Sequence, residues 1–388
     1  MGEWKKVFLE DITTKIGDGL HGTPKYDSNG EYYFINGNNL KNGKIVVKSD
    51  TKRVAKNEAL KYQKALSNQT ILLSINGTIG SLALYSSEKC MLGKSACYIN
   101  VSNEVDVRFL YYHFLDEEFQ FYIEMVATGT TIPNVPLKGI REYSFNLPQL
   151  EEQKAIAEVL SSLDDKIDLL HRQNKTLEEL AQTLFRQWFI EEAKDEWEVG
   201  TLKDILQFNP THSLKKGEMY PFLEMGNVQT FKSSVADWYE REFTSGTKFK
   251  NGDTLLARIT PSLENGKTAY VDFLEEDEIG WGSTEFIVMR MKKEYHPFIS
   301  YLIARNEDFR DFAIGNMTGS TGRQRAQAKD IKEYEVSIPP IKVIEKLNKA
   351  IEPIPIKLKS NSKQIQTLEN MRDTLLPKLM SGEVRVSY

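Results

Sequence analysis

A heptad pattern that occurs twice restricts the fold of this sequence more than any other feature. Apolar residues recur at alternating steps of four and three, so they return to one helix face every 3.5 residues. The first series comprises Ile156, Leu160, Leu163, Ile167, Leu170, Asn174, Leu177, Ala181, Leu184 and Trp188. The second comprises Leu347, Ile351, Ile354, Leu358, Asn361, Ile365, Leu368, Arg372, Leu375 and Leu379. The pattern predicts two long helices, each with an apolar face to bury.

The two series belong to a longer internal repeat with a constant offset. Ile140 corresponds to Ile331, Pro148 to Pro339 and Leu177 to Leu368. A chain of 388 residues is long enough for two domains. We therefore divide it into a block at 1–148, a helix at 149–192, a second block at 193–340 and a second helix at 341–388.

Both blocks predict a mixture of strands and helices. Strand-like runs in the first block cover Tyr32–Ile35, Ile45–Val47, Thr70–Ile75, Ser81–Tyr85 and Ala96–Val101, and one helix is expected over Arg108–Val126. The matching helix of the second block is expected over Phe298–Ile314. The loops differ strongly between the blocks, which is expected of two modules that do one job on different targets.

The long helices are predicted to pair with each other. The first is acidic and the second basic, and an antiparallel register that matches all ten positions places Asn174 opposite Asn361. We expect this amide pair to fix the spacing between the blocks, although either Asn could instead face water. Pro353 and Pro355 predict a break near residues 352–356.

Composition excludes several classes of protein. Cys90 and Cys97 are the only cysteines and form no CxxC motif, which argues against a disulfide scaffold or a zinc site and favours a cytoplasmic protein. No stretch predicts a signal peptide or a membrane span. The net charge of −5 counts mildly against nucleic acid as a partner when taken alone.

Motifs for catalysis are incomplete or absent. Gly93-Lys94-Ser95 and Gly266-Lys267-Thr268 resemble the end of a phosphate-binding loop, but Glu88 and Pro261 stand where its first glycine is required. The sequence lacks an Asn/Asp-Pro-Pro-aromatic run for amino-group methylation, and its five histidines are scattered. We expect a binding protein without a metal, a cofactor or an active site of its own.

Several motifs resemble one known family. LEEQKAIAEVLSSLDDKIDLLHRQNKTLEELAQTLFRQWF at 150–189 and LENMRDTLLPKLMSGEVRV at 368–386 are similar to the two helical regions of type I restriction–modification specificity subunits. TGTTIPNV at 128–135, GSTGRQR at 319–325 and the Glu-Trp openings of both blocks strengthen the resemblance, which covers essentially the whole chain.

The resemblance carries expectations for fold and function. With the repeat, it predicts an α+β protein with two globular target-recognition domains in pseudo-twofold tandem repeat, separated by two long helices that form an antiparallel coiled coil. It implies recognition of a bipartite, asymmetric site in double-stranded DNA. The expected partners are two methyltransferase subunits, which bind S-adenosylmethionine, and restriction/translocase subunits.

Base recognition requires side chains that donate or accept hydrogen bonds in exposed loops. Candidates in the first block are Lys15, His21, Lys25, Asn38, Asn39, Lys94, Ser95, Thr130 and Thr131. Candidates in the second are Lys215, Lys216, Asn227, Arg258, Lys267, Arg323, Gln324 and Arg325. The loop from Gly322 to Arg325 is the strongest, because it holds two guanidiniums and an amide. Each candidate could instead be an ordinary surface or turn residue, as when Asn38 and Asn227 only cap turns.

Two other functions stay open at this point. The chain could be a coiled-coil scaffold whose globular ends bind proteins, or a self-contained methyltransferase or nuclease. Methyl transfer by the isolated chain would favour the enzyme, and binding to DNA without sequence preference would favour the scaffold.

Overall fold

The structure is a computed structural model that describes residues 3–386. Residues 1–2 of the first predicted block and residues 387–388 of the second predicted helix lie outside this range. The chain forms two compact units. The first unit is Met1–Lys166 with Leu368–Tyr388, and the second unit is Ile167–Thr367. This division differs from the four predicted segments, because each unit includes a part of both long helices.

The N-terminal half of the chain contains short strands and four short helices. Its strands are β1 (Lys5–Phe8), β2 (Thr13–Asp18), β3 (Tyr32–Ile35), β4 (Leu40–Lys41), β5 (Lys44–Ile45), β6 (Arg53–Val54), β7 (Thr70–Ser74), β8 (Leu82–Leu84), β9 (Cys90–Leu92), β10 (Ala96–Val101) and β11 (Ser144–Leu147). Its helices are α1 (Lys56–Lys61), α2 (Val107–Leu115), α3 (Glu117–Val126) and α4 (Leu137–Glu142).

Two sheets and two strand pairs organise the first unit. The larger sheet has the order β2-β10-β7-β8, and the smaller has the order β6-β3-β9, in which β3 and β9 run parallel. β4 pairs with β5, and β1 pairs with β11, so the first and last strands of the domain are neighbours. Strand β7 and most of β10 are buried, as their nearly continuous apolar sequence predicts.

The helix predicted over Arg108–Val126 is two helices. The chain is extended at Asp116, whose side chain accepts a hydrogen bond from the backbone N–H of Glu118 and so caps α3. The apolar face of both helices is nevertheless buried as expected, since Phe109, Phe119 and Ile123 lie in the core of the first unit. Only the continuity of the helix was wrong.

Among the described residues, the second half of the chain repeats much of this order, with ten strands where the first half has eleven. Its strands are β12 (Glu198–Thr201), β13 (Leu206–Phe208), β14 (Met219–Leu223), β15 (Tyr239–Glu242), β16 (Thr247–Phe249), β17 (Thr254–Ala257), β18 (Thr268–Tyr270), β19 (Gly280–Gly282), β20 (Phe286–Met291) and β21 (Glu335–Ile338). The helices are α5 (Leu150–Arg186), α6 (Leu202–Ile205), α7 (Ile299–Arg305), α8 (Glu307–Gly315), α9 (Ala328–Ile331), α10 (Ile341–Ile351) and α11 (Pro353–Met380).

Strand pairing in the second unit follows the order found in the first. The sheet β13-β20-β17-β18 matches β2-β10-β7-β8, and β12 pairs with β21 as β1 pairs with β11. In the sheet β15-β14-β19-β16, β14 and β19 run parallel. The helix expected over Phe298–Ile314 is again divided, here at Asn306, which caps α8. Two α+β domains in tandem confirm the predicted fold class.

The long helices carry two interruptions, of which only the one at the prolines was predicted. Helix α5 continues into a π-helical turn at Gln187–Glu191. Helix α10 ends at Ile351 and α11 begins at Pro353, which confirms the break expected from the prolines. Proline is tolerated there because the first helical residue has no intrahelical partner for its N–H.

Within the second unit, α5 packs against α10 and α11 in the antiparallel sense. Asn361 Nδ2 donates to Asn174 Oδ1 over 2.8 Å. Further along α5, Ala181 lies in the same core as Ile354, which precedes Asn361 in the chain. The two amides therefore meet in one layer, and Asn361 is fully buried there.

Candidate nucleic-acid interface

The loop between α3 and α4 lies on the surface of the first unit. Its ends are joined by two backbone hydrogen bonds of 2.8 Å between Thr128 and Asn134, and Val135 N donates to the carbonyl oxygen of Ile75 over 2.8 Å. Gly129 adopts a φ of +91°, which favours glycine because it has no Cβ. Thr130 and Thr131 lie at the exposed tip of this loop.

Two of the predicted residues lie in a cleft beside this loop. The cleft measures about 320 Å³, and its polar lining is Asp18, His21, Asn76, Lys94 and Asn134. A backbone bridge between Leu20 and Gly93 brings the segments of His21 and Lys94 together. His21 Nε2 lies 2.6 Å from Asp18 Oδ2.

Three other candidates of the first unit lie elsewhere on exposed surface. Lys15 is on β2, Lys25 follows it in a loop, and Asn38 lies in a 3₁₀ turn over Gly37–Asn39. None of the three lines the cleft. The structure therefore brings together His21 and Lys94, with the threonine loop beside them, rather than the whole predicted set.

Asn39 and Ser95 are corrections to the prediction. Asn39 is only 4% exposed; its Oδ1 accepts from Asn36 N, and its Nδ2 donates to Val46 O and Thr51 Oγ1. Ser95 Oγ accepts from Gly37 N and donates to Asn36 Oδ1. Because these polar atoms already hold the turn at residues 36–39, the two side chains have a structural role.

The second unit carries the equivalent loop. Thr318 and Arg325 exchange backbone hydrogen bonds of 3.1 and 2.9 Å, Ala326 N donates to Arg258 O, and Thr260 N donates to Gln324 O. Arg323 and Gln324 lie at the exposed tip. The loop thus closes against the segment after β17, as its counterpart closes against the segment after β7.

Arg325 differs from the expectation of a free guanidinium. Its Nε lies 3.0 Å from both carboxylate oxygens of Glu285, and its Nη2 lies 2.7 Å from Oε1. Nη1 donates to the carbonyl oxygen of Arg323. The hydrogen bond with Glu285 raises the pKa of Arg325. The Nε and Nη2 edge of this guanidinium is therefore occupied by Glu285 and one N–H of Nη1 is also used, whereas Arg323 is exposed at the loop tip.

The remaining candidates of the second unit fall into two groups. Lys215 and Lys216 are exposed, and Lys215 Nζ lies 3.3 Å from Glu218. Lys267 and Arg258 are half-buried and make hydrogen bonds within the domain. Lys267 Nζ donates to Met225 O, and Arg258 Nη2 donates to Gln327 Oε1. Asn227 is half-buried in the 3₁₀ turn over Met225–Asn227.

Three residues at these loops were missed by sequence reasoning. Asn76 Nδ2 donates to Asn134 Oδ1 over 3.2 Å, and Glu285 binds Arg325. The signal for Asn134 was present, because it aligns with Arg325 in the internal repeat. Glu285 offered none, since 40 residues separate it from Arg325.

Two other kinds of feature, a metal site and a membrane-spanning helix, are absent from the described residues. Across residues 3–386, the side chains of His, Cys, Asp and Glu form no group of three that could hold a metal ion. Among the helices in that same range, none combines the length and apolar character needed to cross a bilayer.

Comparisons with known proteins all point to the same family. The sequence model described as "Type I restriction modification DNA specificity domain" matches residues 1–179 and again 194–370. The chain is 28% identical over 424 aligned residues to the type I restriction enzyme MjaIX specificity subunit of Methanocaldococcus jannaschii, covering 99% of this chain and 94% of that protein. The MjaVIII specificity subunit of the same organism is 22% identical over 361 residues, with coverage of 84% and 83%.

A solved structure shares the fold. The crystal structure of a type I restriction–modification system S subunit from M. genitalium superposes with a TM-score of 0.60 at 21% identity, covering 97% of this chain and 96% of that chain. The two family matches coincide with the two halves of the repeat and include both closing loops. The chain therefore belongs to the family of type I restriction–modification DNA specificity domains.

Proposed function

We propose that this protein is the DNA-recognition subunit of a type I restriction–modification complex and reads a bipartite, asymmetric target. The observation that carries this proposal is one scaffold built twice with different chemistry at the same loop. Asn134 closes the loop in the first unit, and Arg325 closes it in the second. Amide and guanidinium groups favour different bases, so two such domains suit two different half-sites.

The chain acts in this proposal without catalysis or a cofactor of its own. Burial raises the pKa of the Cys90 thiol to about 12, so a reactive thiolate is disfavoured there. The incomplete phosphate-loop motifs and the missing methylation motif support the same view. S-adenosylmethionine would bind to the methyltransferase partners, which would also supply many of the phosphate contacts that a chain of net charge −5 needs.

The proposed protein partners are two methyltransferase subunits and the restriction/translocase subunits. The names of the relatives support assembly, since each relative is the specificity subunit of a type I restriction enzyme. Large apolar side chains exposed on the long helices also suit protein partners: Leu180 on α5 is 47% exposed and Ile356 on α11 is 66% exposed.

Methylation mapping tests the proposed function. The chain would be co-expressed with a cognate methyltransferase subunit in a host without other DNA methylation, and modified bases would be mapped across the genome. We expect one bipartite motif, absent when this chain is omitted. Methyl transfer by the isolated chain would instead establish an enzyme, and a complex that binds all DNA equally would support a scaffold.

A further inference from the structure

The residue that closes each recognition loop occupies the same place in both domains. Asn134 is bridged to Thr128 across the loop and to Asn76 after β7. Arg325 is bridged to Thr318 across its loop and to Ile259 after β17. One backbone arrangement therefore presents an amide in one domain and a guanidinium in the other.

From this equivalence, and resting on the proposed function, we propose that these positions read one base pair each. The Asn76–Asn134 amide pair would read an adenine in one half-site. Arg325, oriented by Glu285, would read a guanine in the other. Asn76 and Glu285 thereby gain roles as specificity-determining residues.

The amide pair has the hydrogen-bonding pattern that adenine requires. Asn76 Nδ2 donates to Asn134 Oδ1, so the pair is joined through one donor and one acceptor. Asn76 Oδ1 and Asn134 Nδ2 are left without a partner within residues 3–386 and offer one acceptor beside one donor. Adenine presents the complementary N6 donor and N7 acceptor in the major groove. Both side chains line the cleft rather than the core.

The cleft also holds a group that can contact the DNA backbone. His21 and Lys94 line the same cleft, and the exposed Lys94 ammonium can contact a phosphate oxygen. Asp18 is the acidic group in the lining, and it lies against His21. Base contact and phosphate contact are thus available in a single cleft.

Glu285 orients Arg325 without covering it. The carboxylate contacts the Nε and Nη2 atoms, and the Arg325 side chain stays 37% exposed. Nη1 uses one N–H for the carbonyl oxygen of Arg323, and Nη2 uses one for Glu285. Each nitrogen keeps a second N–H, and these two donors match the acceptors O6 and N7 of guanine. Glu285 is 24% exposed, so its charge stays with the arginine instead of facing a phosphate.

The test uses the assembled methyltransferase complex and its mapped target. Binding would be measured on the target and on all of its single-base variants, with N134A, N76A, R325A and E285Q complexes. We expect the asparagine variants to lose about 5- to 150-fold of discrimination at one A·T pair in one half-site. R325A should lose a similar factor at one G·C pair in the other half-site, and E285Q should show part of that loss.

Conservative variants separate base reading from loop structure. N134D keeps an acceptor for Asn76 but removes the free donor and adds a negative charge. It should therefore lose discrimination at that A·T pair beyond any affinity that the charge costs on every sequence, while the thermal unfolding temperature stays unchanged. Unaltered discrimination in the N134D and R325A complexes, with or without a uniform loss on every sequence, would overturn the inference. A wild-type complex without sequence preference would refute the proposed function itself, which is a separate result.

Discussion

Two arginines in one loop illustrate how a residue's neighbours decide its role. Arg325 binds Glu285, whereas Arg323 lies exposed at the loop tip, with its carbonyl oxygen accepting from Arg325. The sequence placed both in a single candidate group. The structure separates an arginine fixed for orientation from one that is available for direct contact.

Arg323 is expected to contact phosphate. R323A in the assembled complex should weaken binding to all sequences and lower the dependence of log K on log salt by about one unit, because one counterion fewer is released. Titrations at several salt concentrations would measure this. K293A is the matched control, since Lys293 is exposed and follows the opposite end of β20 from Glu285. A loss confined to one base pair would assign Arg323 to base reading instead.

Asp272 is expected to make the stability of the second unit depend on pH. Burial raises the pKa of this carboxyl from 3.8 to about 6, although Lys359 and Lys363 act in the opposite direction. Between these pH values the folded chain keeps a proton that the unfolded chain has lost. The protonated Asp272 carboxyl therefore contributes to the free energy of unfolding fully below pH 3.8, and this contribution is lost as the pH rises through 6.

The variant D272N should remove this dependence. Its unfolding temperature should exceed that of the wild type by more at pH 7.5 than at pH 4.5, since asparagine has no charge to desolvate. Thermal unfolding at both pH values would measure the difference. D195N is the control, because Asp195 is exposed. An equal effect at both pH values would show that Asp272 is not the responsible group.

At the scale of elements, local signals predicted strands better than helix continuity. The strands at Tyr32–Ile35 and Ala96–Val101 have the predicted limits, because continuous apolar runs mark buried strands. The divided helices were missed because a single Asp or Asn between two helical stretches is compatible with one continuous helix and also with the cap of a second helix. Asp116 and Asn306 would sit acceptably on the surface of one helix, but they cap a new one instead.

The Asn174–Asn361 contact is expected to favour pairing specificity over stability. Asn361 Oδ1 is buried without a hydrogen-bond partner among the described residues, while its Nδ2 donates to Asn174. N361L should raise the free energy of unfolding by about 1 kcal/mol, because it removes that buried acceptor. N174A should lower it by roughly 1–3 kcal/mol, because it leaves the buried amide without its partner.

Urea denaturation of both variants would measure these changes. L358M is a suitable control, because it alters a buried neighbour on α11 while keeping its apolar character and approximate volume. A destabilised N361L would mean that the amide pair contributes net stability, contrary to expectation.

At the scale of the whole molecule, the repeat was predictable and the candidate site only partly so. The apolar faces of the long helices and the order of the domains follow from local periodicity, which can be read directly from a sequence. The pairing of Glu285 with Arg325 depends on the β20 and β17 register, which joins residues distant in the chain. Asn39 was misassigned for the same reason, because its burial depends on Val46 and Thr51 contacts.

Exchange of a recognition domain should change half of the target. Replacing residues 1–148 with the corresponding block of another specificity subunit should alter one half-site and leave the other half-site unchanged. Mapping of methylated bases would measure the outcome, and the reciprocal exchange of residues 193–340 serves as its control. Alteration of both half-sites by one exchange would mean that the domains do not read independently.

The strand pairs β1–β11 and β12–β21 have an evolutionary consequence. In each domain the chain arrives on one strand of the pair and departs on the other, only one strand spacing away. A foreign cassette with the same terminal pair can therefore replace the domain through two recombination crossovers, while the host gene keeps its own helices. Under the proposed function, selection for new targets can act on one cassette at a time, and each event would yield a new combination of half-sites from existing parts.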